Sequence, residues 1–222
     1  SAADAIYSTH DILLIPQGTS ISPQVAAAVY GCKLKKPLEV CLRFEDELDS
    51  IRLKEYFIAI MQQDDLLSAL NEHQDIAKTL KDYIAAYDNF PLLKQKITVM
   101  ALSMPELFLR TVYCSWFALL IAKELHFSEQ ACADVFLAAL SHDIGMLHLN
   151  AFVLEKKEGL SPDDWRHIQE HVLIGAMVLK QMPDMPEDVI KAVYEHHERC
   201  DGTGYPEGKV EGELSYAGKI VG

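Results

Sequence analysis

The sequence predicts a mainly α protein, with a small α+β domain over residues 1–90 followed by an all-helical bundle over residues 91–222. Three observations carry this reading. Short β-type runs are confined to the first 45 or so positions, apolar residues recur at three-to-four spacing from about Asp46 onward, and helix-start signals punctuate the second half. The composition supplies a core for such a fold: 50% of the 222 residues are hydrophobic and 9% aromatic, far from a disordered profile.

The elements follow in order. Asp11-Ile12-Leu13-Leu14-Ile15, closed by Pro16-Gln17-Gly18, reads as a strand, and Ser22-Pro23 as the N-cap and first position of a helix running to Tyr30 and ended by Gly31. Leu38 to Leu42 reads as a second strand. Leu48, Ile51, Tyr56 and Ile60, then Leu66, Leu67 and Leu70, then Ile76, Leu80 and Ile84 carry the helical period, and Asn89-Phe90-Pro91 reads as a linker. Pro105 opens a helix in which Leu107 to Leu125 is apolar nearly all round, which predicts burial on more than one side. Ser128-Glu129 opens the next, leading to Ser141-His142-Asp143-Ile144-Gly145. Ser161-Pro162-Asp163-Asp164 is a capping box placing Trp165 to Lys180 on a helix. Pro183 and Pro186 bracket a turn, Glu187 to Glu198 reads as a helix, and Asp201-Gly202-Thr203-Gly204-Tyr205-Pro206 as a loop.

Charge narrows the partners. Lys plus Arg is 20 against 33 for Asp plus Glu, a formal charge of −13, the wrong sign for a nucleic-acid polymer or an anionic membrane surface. An anionic small substrate then needs a local positive centre, which a bound metal supplies most compactly. Cys32, Cys41, Cys114, Cys132 and Cys200 form no C-x-x-C pair and read as reduced thiols. No run approaches about 18 consecutive apolar residues, and the first residues lack a signal-peptide pattern. The expectation is a cytoplasmic protein with no membrane partner.

Six of the nine histidines lie between 142 and 197. His142 abuts Asp143 and His196 abuts His197, each pair at the end of an apolar helix. Imidazole and carboxylate ligate Fe, Mn and Zn, and a carboxylate can bridge two ions. The spacing suits ligands from three helices converging in a bundle core. His10, His73, His126 and His148 read as ordinary surface or satisfied histidines. Of His167 and His171, one turn apart, only one is needed, and either could instead pair with Glu170 or Asp163.

His142-Asp143-Ile144-Gly145, Glu170-His171 with Gly175 four residues on, and His196-His197-Glu198-Arg199-Cys200-Asp201-Gly202-Thr203-Gly204-Tyr205-Pro206 resemble the HD-GYP family in order and spacing. The resemblance spans roughly residues 105–222, and Leu13 to Thr19 resembles small N-terminal domains seen ahead of some family members. It implies an all-helical HD-type metal-dependent phosphohydrolase that linearises cyclic di-GMP or a related cyclic dinucleotide with Fe or Mn. By resemblance Asp143 is the catalytic residue bridging the ions; His171, His196 and His197 complete one metal site and His142 belongs to the other. Arg199, Gly202, Gly204, Tyr205 and Pro206 would line the substrate cleft.

Three departures modify that expectation. Arg110 stands where the family has its first histidine ligand, and arginine cannot ligate a metal. Glu106, one turn earlier, is positioned either as an extra carboxylate ligand or as a partner of Arg110 at i,i+4. Met146 replaces a phosphate-contacting lysine, and a late ligand aspartate of the family has no counterpart up to Gly222, either because it would lie further on or because it is absent. The expectation is one ion held well, a second held weakly or not at all, and weakened activity, with Arg110 holding a phosphate in place of the missing ion. Two alternatives stand beside it: a catalytically inactive sensor or interaction module, with a diguanylate cyclase as partner, and a phosphohydrolase acting on another ester.

Overall fold

Ile6–Tyr7 (β1) and Leu13–Ile15 (β2) pair antiparallel, Ile6 opposite Ile15, in a computed structural model that describes residues 1–222 except 3, 30, 37–40, 42–46, 64–74, 155 and 157–158. Ile6 and Ile15 are buried with Ala2, Val29 and Cys41, a small core for the first of two compact units, Ser1–Leu48. α1, Pro23–Val29, starts where Ser22 Oγ accepts from the backbone N–H of Val25 at 3.3 Å. β1 has no signal of its own in the sequence. The expected strand over 38–42 and the repeat of Leu66, Leu67 and Leu70 lie outside the described residues, apart from Cys41.

The second unit, Asp49–Gly222, is helical. Among the described residues its helices are α2 (Ser50–Gln63), α3 (Ile76–Ile84), α4 (Pro91–Ser103), α5 (Pro105–Glu124), α6 (Glu129–Ser141), the short α7 (Ala151–Leu154), α8 (Pro162–Lys180), α9 (Glu187–Glu195) and α10 (Tyr216–Val221). Single 3-10 turns occupy Ala85–Asn89, Ile144–His148 and Glu211–Glu213. The division at Leu48/Asp49 precedes the expected boundary at residue 90, and packing explains it: Phe57 of α2 is fully buried with its ring 5.7 Å from that of Phe136 in α6. Asn89-Phe90-Pro91 is a tight turn into α4 rather than a linker, with Phe90 buried and its N–H on the Tyr87 carbonyl at 3.1 Å.

α5 and α6 form the centre of the bundle. Trp116 and Leu119 of α5 and Phe136 and Leu140 of α6 are fully buried. Among the described residues α5 is the one helix long and apolar enough to cross a membrane, although its longest unbroken apolar run is only Trp116 to Ala122. It buries Phe108, Val112, Trp116, Leu119 and Ala122 along one face, whereas Leu109, Phe117, Ile121 and Leu125 are exposed, so the burial on more than one side expected from its apolar circumference is not met. The caps read from the sequence are in place: Pro105 opens α5, Ser128 accepts from Ala131 N, and Ser161 and Asp164 complete a reciprocal capping box on α8. α9 ends at Glu195, three residues before the expected Glu198, because Glu198 N–H turns back to the Glu195 carbonyl at 2.7 Å. That early stop releases His196 and His197 from the helix.

Candidate metal centre

Three chain segments meet at one point: the C-terminal end of α6, the middle of α8 and the end of α9. Gly145 brings the first onto the second. A Cβ there would lie 2.0 Å from the His171 carbonyl oxygen and 2.8 Å from Gly175 N, so only glycine lets the turn after Asp143 lie against α8. Val193 then packs against Gly175 from α9, and His196 follows one turn later.

The side chains converge on Asp143. Its Oδ1 lies 3.4 Å from His171 Nε2 and 3.8 Å from His196 Nε2, and these two nitrogens are 3.2 Å apart. Asp143, His171, His196 and His197 each offer one ligand atom within 4.8 Å of the others. The backbone sets the tautomers. His171 Nδ1 lies 2.6 Å from the Ile168 carbonyl and His196 Nδ1 2.7 Å from the Val193 carbonyl, so each must carry its proton on Nδ1 and turn the Nε2 lone pair inward. Two nitrogen acceptors and a carboxylate oxygen thus face one another with no proton between them. Such a donor set is repulsive by itself and suits a divalent cation.

Electrostatics keep the candidate ligands in a form that could bind a cation. Burial, reinforced by neighbouring rings, holds His171 and His196 below the ordinary histidine value and His197 down at about 4, leaving all three neutral at neutral pH. Burial pushes Asp143 up, but His142, His196 and His171 outweigh it and hold the carboxyl well below its ordinary value. His142 behaves oppositely. Burial lowers it, yet Asp143 wins and raises it; its Nδ1 donates to the Ala139 carbonyl at 2.7 Å while Nε2 lies 3.2 Å from Asp143 Oδ2. His142 therefore stands on the opposite carboxylate oxygen from His171 and His196.

Arg110 reaches that same oxygen. Its Nη2 is 2.8 Å from Asp143 Oδ2, with the arginine side chain 60% exposed and the aspartate 5%. Arg110 pairs with Asp143 and not with Glu106. On the loop side, Tyr205 stacks on His197 at 4.7 Å, and burial pushes its hydroxyl up to about 12. Gly204 lets the loop fold onto the Glu198-Arg199 peptide, where a Cβ would meet Arg199 N at 2.4 Å. Arg199 is exposed, Gly202 has positive φ, and Tyr205-Pro206 is a cis peptide. His167 is separate from the centre, paired with Glu170 at 2.9 Å.

Two residues of the site have supporting roles that motif reading does not reveal. Glu198 accepts from the backbone N–H groups of Glu207, Gly208 and Lys209 at 2.7, 3.1 and 2.9 Å, pinning the far side of the loop. Glu195, just before His196 and 1% exposed, accepts from Ser215 N and Oγ and from Lys209 Nζ, tying α10 to the end of α9. Their signal lies in two acids flanking a histidine pair, but their partners are mostly backbone groups without sequence identity.

The family model described as HD domain matches residues 94–222. A cyclic di-GMP phosphodiesterase from Thermotoga maritima is 28% identical over 149 residues, 66% of this chain and 40% of that protein. A 3'3'-cGAMP-specific phosphodiesterase 3 from Vibrio cholerae is 33% identical over 102 residues, 46% of this chain and 22% of that protein. The chain thus spans well under half the length of these curated relatives. Among solved structures, Bd1817, an HDG"Y"P protein from Bdellovibrio bacteriovorus, aligns over 100% of this chain and 81% of its own at 18% identity and a TM-score of 0.47. With the family match covering more than half its length and the three motifs in their expected order, the chain belongs to the HD domain family, as a member of its HD-GYP group.

Proposed function

We propose that the protein is a metal-dependent phosphodiesterase that opens cyclic di-GMP or a related cyclic dinucleotide in the cytoplasm, with weakened activity. The observation that supports this most is the convergence of Asp143 Oδ1 with the inward Nε2 atoms of His171 and His196 beside His197. These four residues would hold one divalent ion, Fe or Mn. When bound, such an ion acidifies a water for attack on phosphorus and offsets charge on the phosphoryl oxygens.

The chain's own residues do the rest. The backbone carbonyls of Ile168 and Val193 orient the two ligand rings, so little reorganisation accompanies binding. Burial of Asp143, His171 and His196 excludes bulk water from that side. The exposed Arg110 and Arg199 supply positive charge for the phosphate groups against a net charge of −13, and Tyr205, stacked on His197, offers a ring edge to a base or ribose. Gly202, Gly204 and Pro206 shape that wall.

The test is incubation of Mn- or Fe-loaded protein with cyclic di-GMP and, separately, 3'3'-cGAMP, followed by chromatography for the linear dinucleotide. Slow conversion of at least one, lost on Asp143→Asn, supports the proposal. One feature favours a second reading, a non-catalytic binding module with a partner such as a diguanylate cyclase: Arg110 already engages the Asp143 oxygen that a second ion would use. Binding without turnover under every metal would select it.

A further inference from the structure

We infer that Arg110 is the site's second cation, a fixed guanidinium that keeps the centre mononuclear and receives the phosphate that a second ion would otherwise hold. The inference rests on the metal-dependent reading above. The two oxygens of Asp143 have different neighbours. Oδ1 faces His171 and His196, whereas Oδ2 carries Arg110 Nη2 at 2.8 Å and His142 Nε2 at 3.2 Å. A carboxylate oxygen has two lone pairs; on Oδ2 Arg110 donates to one, and the His142 ring crowds the other side. A bridging ion at Oδ2 would have to displace a guanidinium that cannot lose its proton, and would stand beside that positive charge once it had done so.

Exposure then indicates what the guanidinium does besides. Asp143 is 5% exposed and the Arg110 side chain 60%, so one side chain spans from the buried carboxylate to the solvent edge of the site. Among the described residues Asp143 is its carboxylate partner, and the contact uses one of five N–H donors. The planar fork matches two oxygens of a phosphate, a geometry that neither a lysine nor the thioether of Met146 reproduces. Arg110 is therefore placed to contact the phosphodiester directly while it neutralises the carboxylate beneath.

The experiment counts ions. Metal-free protein is dialysed against Mn2+ and the bound ion counted per chain for the wild type, Arg110→His and Arg110→Ala, with circular dichroism to check folding. Inorganic phosphate affinity is then measured on the Mn-loaded proteins. One ion in the wild type, two in Arg110→His, and about tenfold or greater loss of phosphate affinity in Arg110→Ala support the inference. Two ions in the wild type, or an unchanged phosphate affinity in a folded Arg110→Ala, overturn it while leaving the metal-dependent reading intact. Should Arg110→His not fold, the wild-type count and the alanine variant decide the matter. No bound ion in the wild type overturns the metal-dependent reading itself.

Discussion

His171 Nε2 and His196 Nε2 lie 3.2 Å apart, although each ring has its Nδ1 proton committed to a backbone carbonyl. Two lone pairs held face to face in a buried pocket oppose each other until a cation enters between them. Binding an ion at about 100 times its dissociation constant stabilises the folded state by about 2.7 kcal/mol. Thermal unfolding with and without a chelator should show that difference in the wild type, and His171→Ala should abolish it. A variant still stabilised by Mn2+ to the wild-type extent would place the ion elsewhere.

The Gly145 contact makes a sharper prediction about folding. Gly145→Ala puts a methyl group 2.0 Å from the His171 carbonyl oxygen, and both contacting groups are backbone. Overpacking of this kind costs about 1–3 kcal/mol or more, and the displacement falls on His171, a proposed metal ligand. Gly212, with open space around it, is the control. Urea denaturation should show a clear loss for Gly145→Ala and near-neutrality for Gly212→Ala, with metal retention impaired only in the former.

Glu198 holds the loop through three backbone N–H groups at 207–209. Glu198→Ala leaves those donors without their carboxylate, at a cost of about 1–3 kcal/mol. Amide exchange at Glu207, Gly208 and Lys209 should accelerate strongly, while the amides of α6 stay protected. Uniform exchange changes across the bundle would argue against a local clamp.

Which features were legible in the sequence follows from the range of the interactions. Helix starts at Pro105, Ser128 and Ser161 were readable because a cap is made within four residues. The three histidine motifs were readable because each segment carries its ligand at a helix end or on one helix face. The two-residue β1 was not, since a strand that short is defined by its partner across the turn. Nor was the attachment of α2 to the second unit, which depends on Phe57 meeting Phe136. The same holds for the direction of Arg110: its position suggested a disturbed metal site, but only the fold showed that it takes Asp143 in preference to Glu106.

Acid should weaken the metal-free protein. His197 takes up its proton at about 4 in the folded chain, against 6.5 for an ordinary histidine, and His171 and His196 are lowered as well. Between those values the unfolded chain binds more protons, so stability falls as pH is lowered through 6.5 towards 4. His142, raised by Asp143, opposes this in part. The Tm of metal-free protein should therefore fall between pH 7 and pH 5, and less steeply in His197→Gln; a Tm that rises on acidification would contradict the neutral state assigned to the three rings.

The location of the ion tests the account most directly. Anomalous scattering from a crystal of Mn-loaded protein should give a single strong peak within bonding distance of Asp143 Oδ1 and the Nε2 atoms of His171 and His196, beside His197, with Arg110 still on Oδ2. A peak away from these atoms, or no peak in protein saturated with Mn2+, would contradict it.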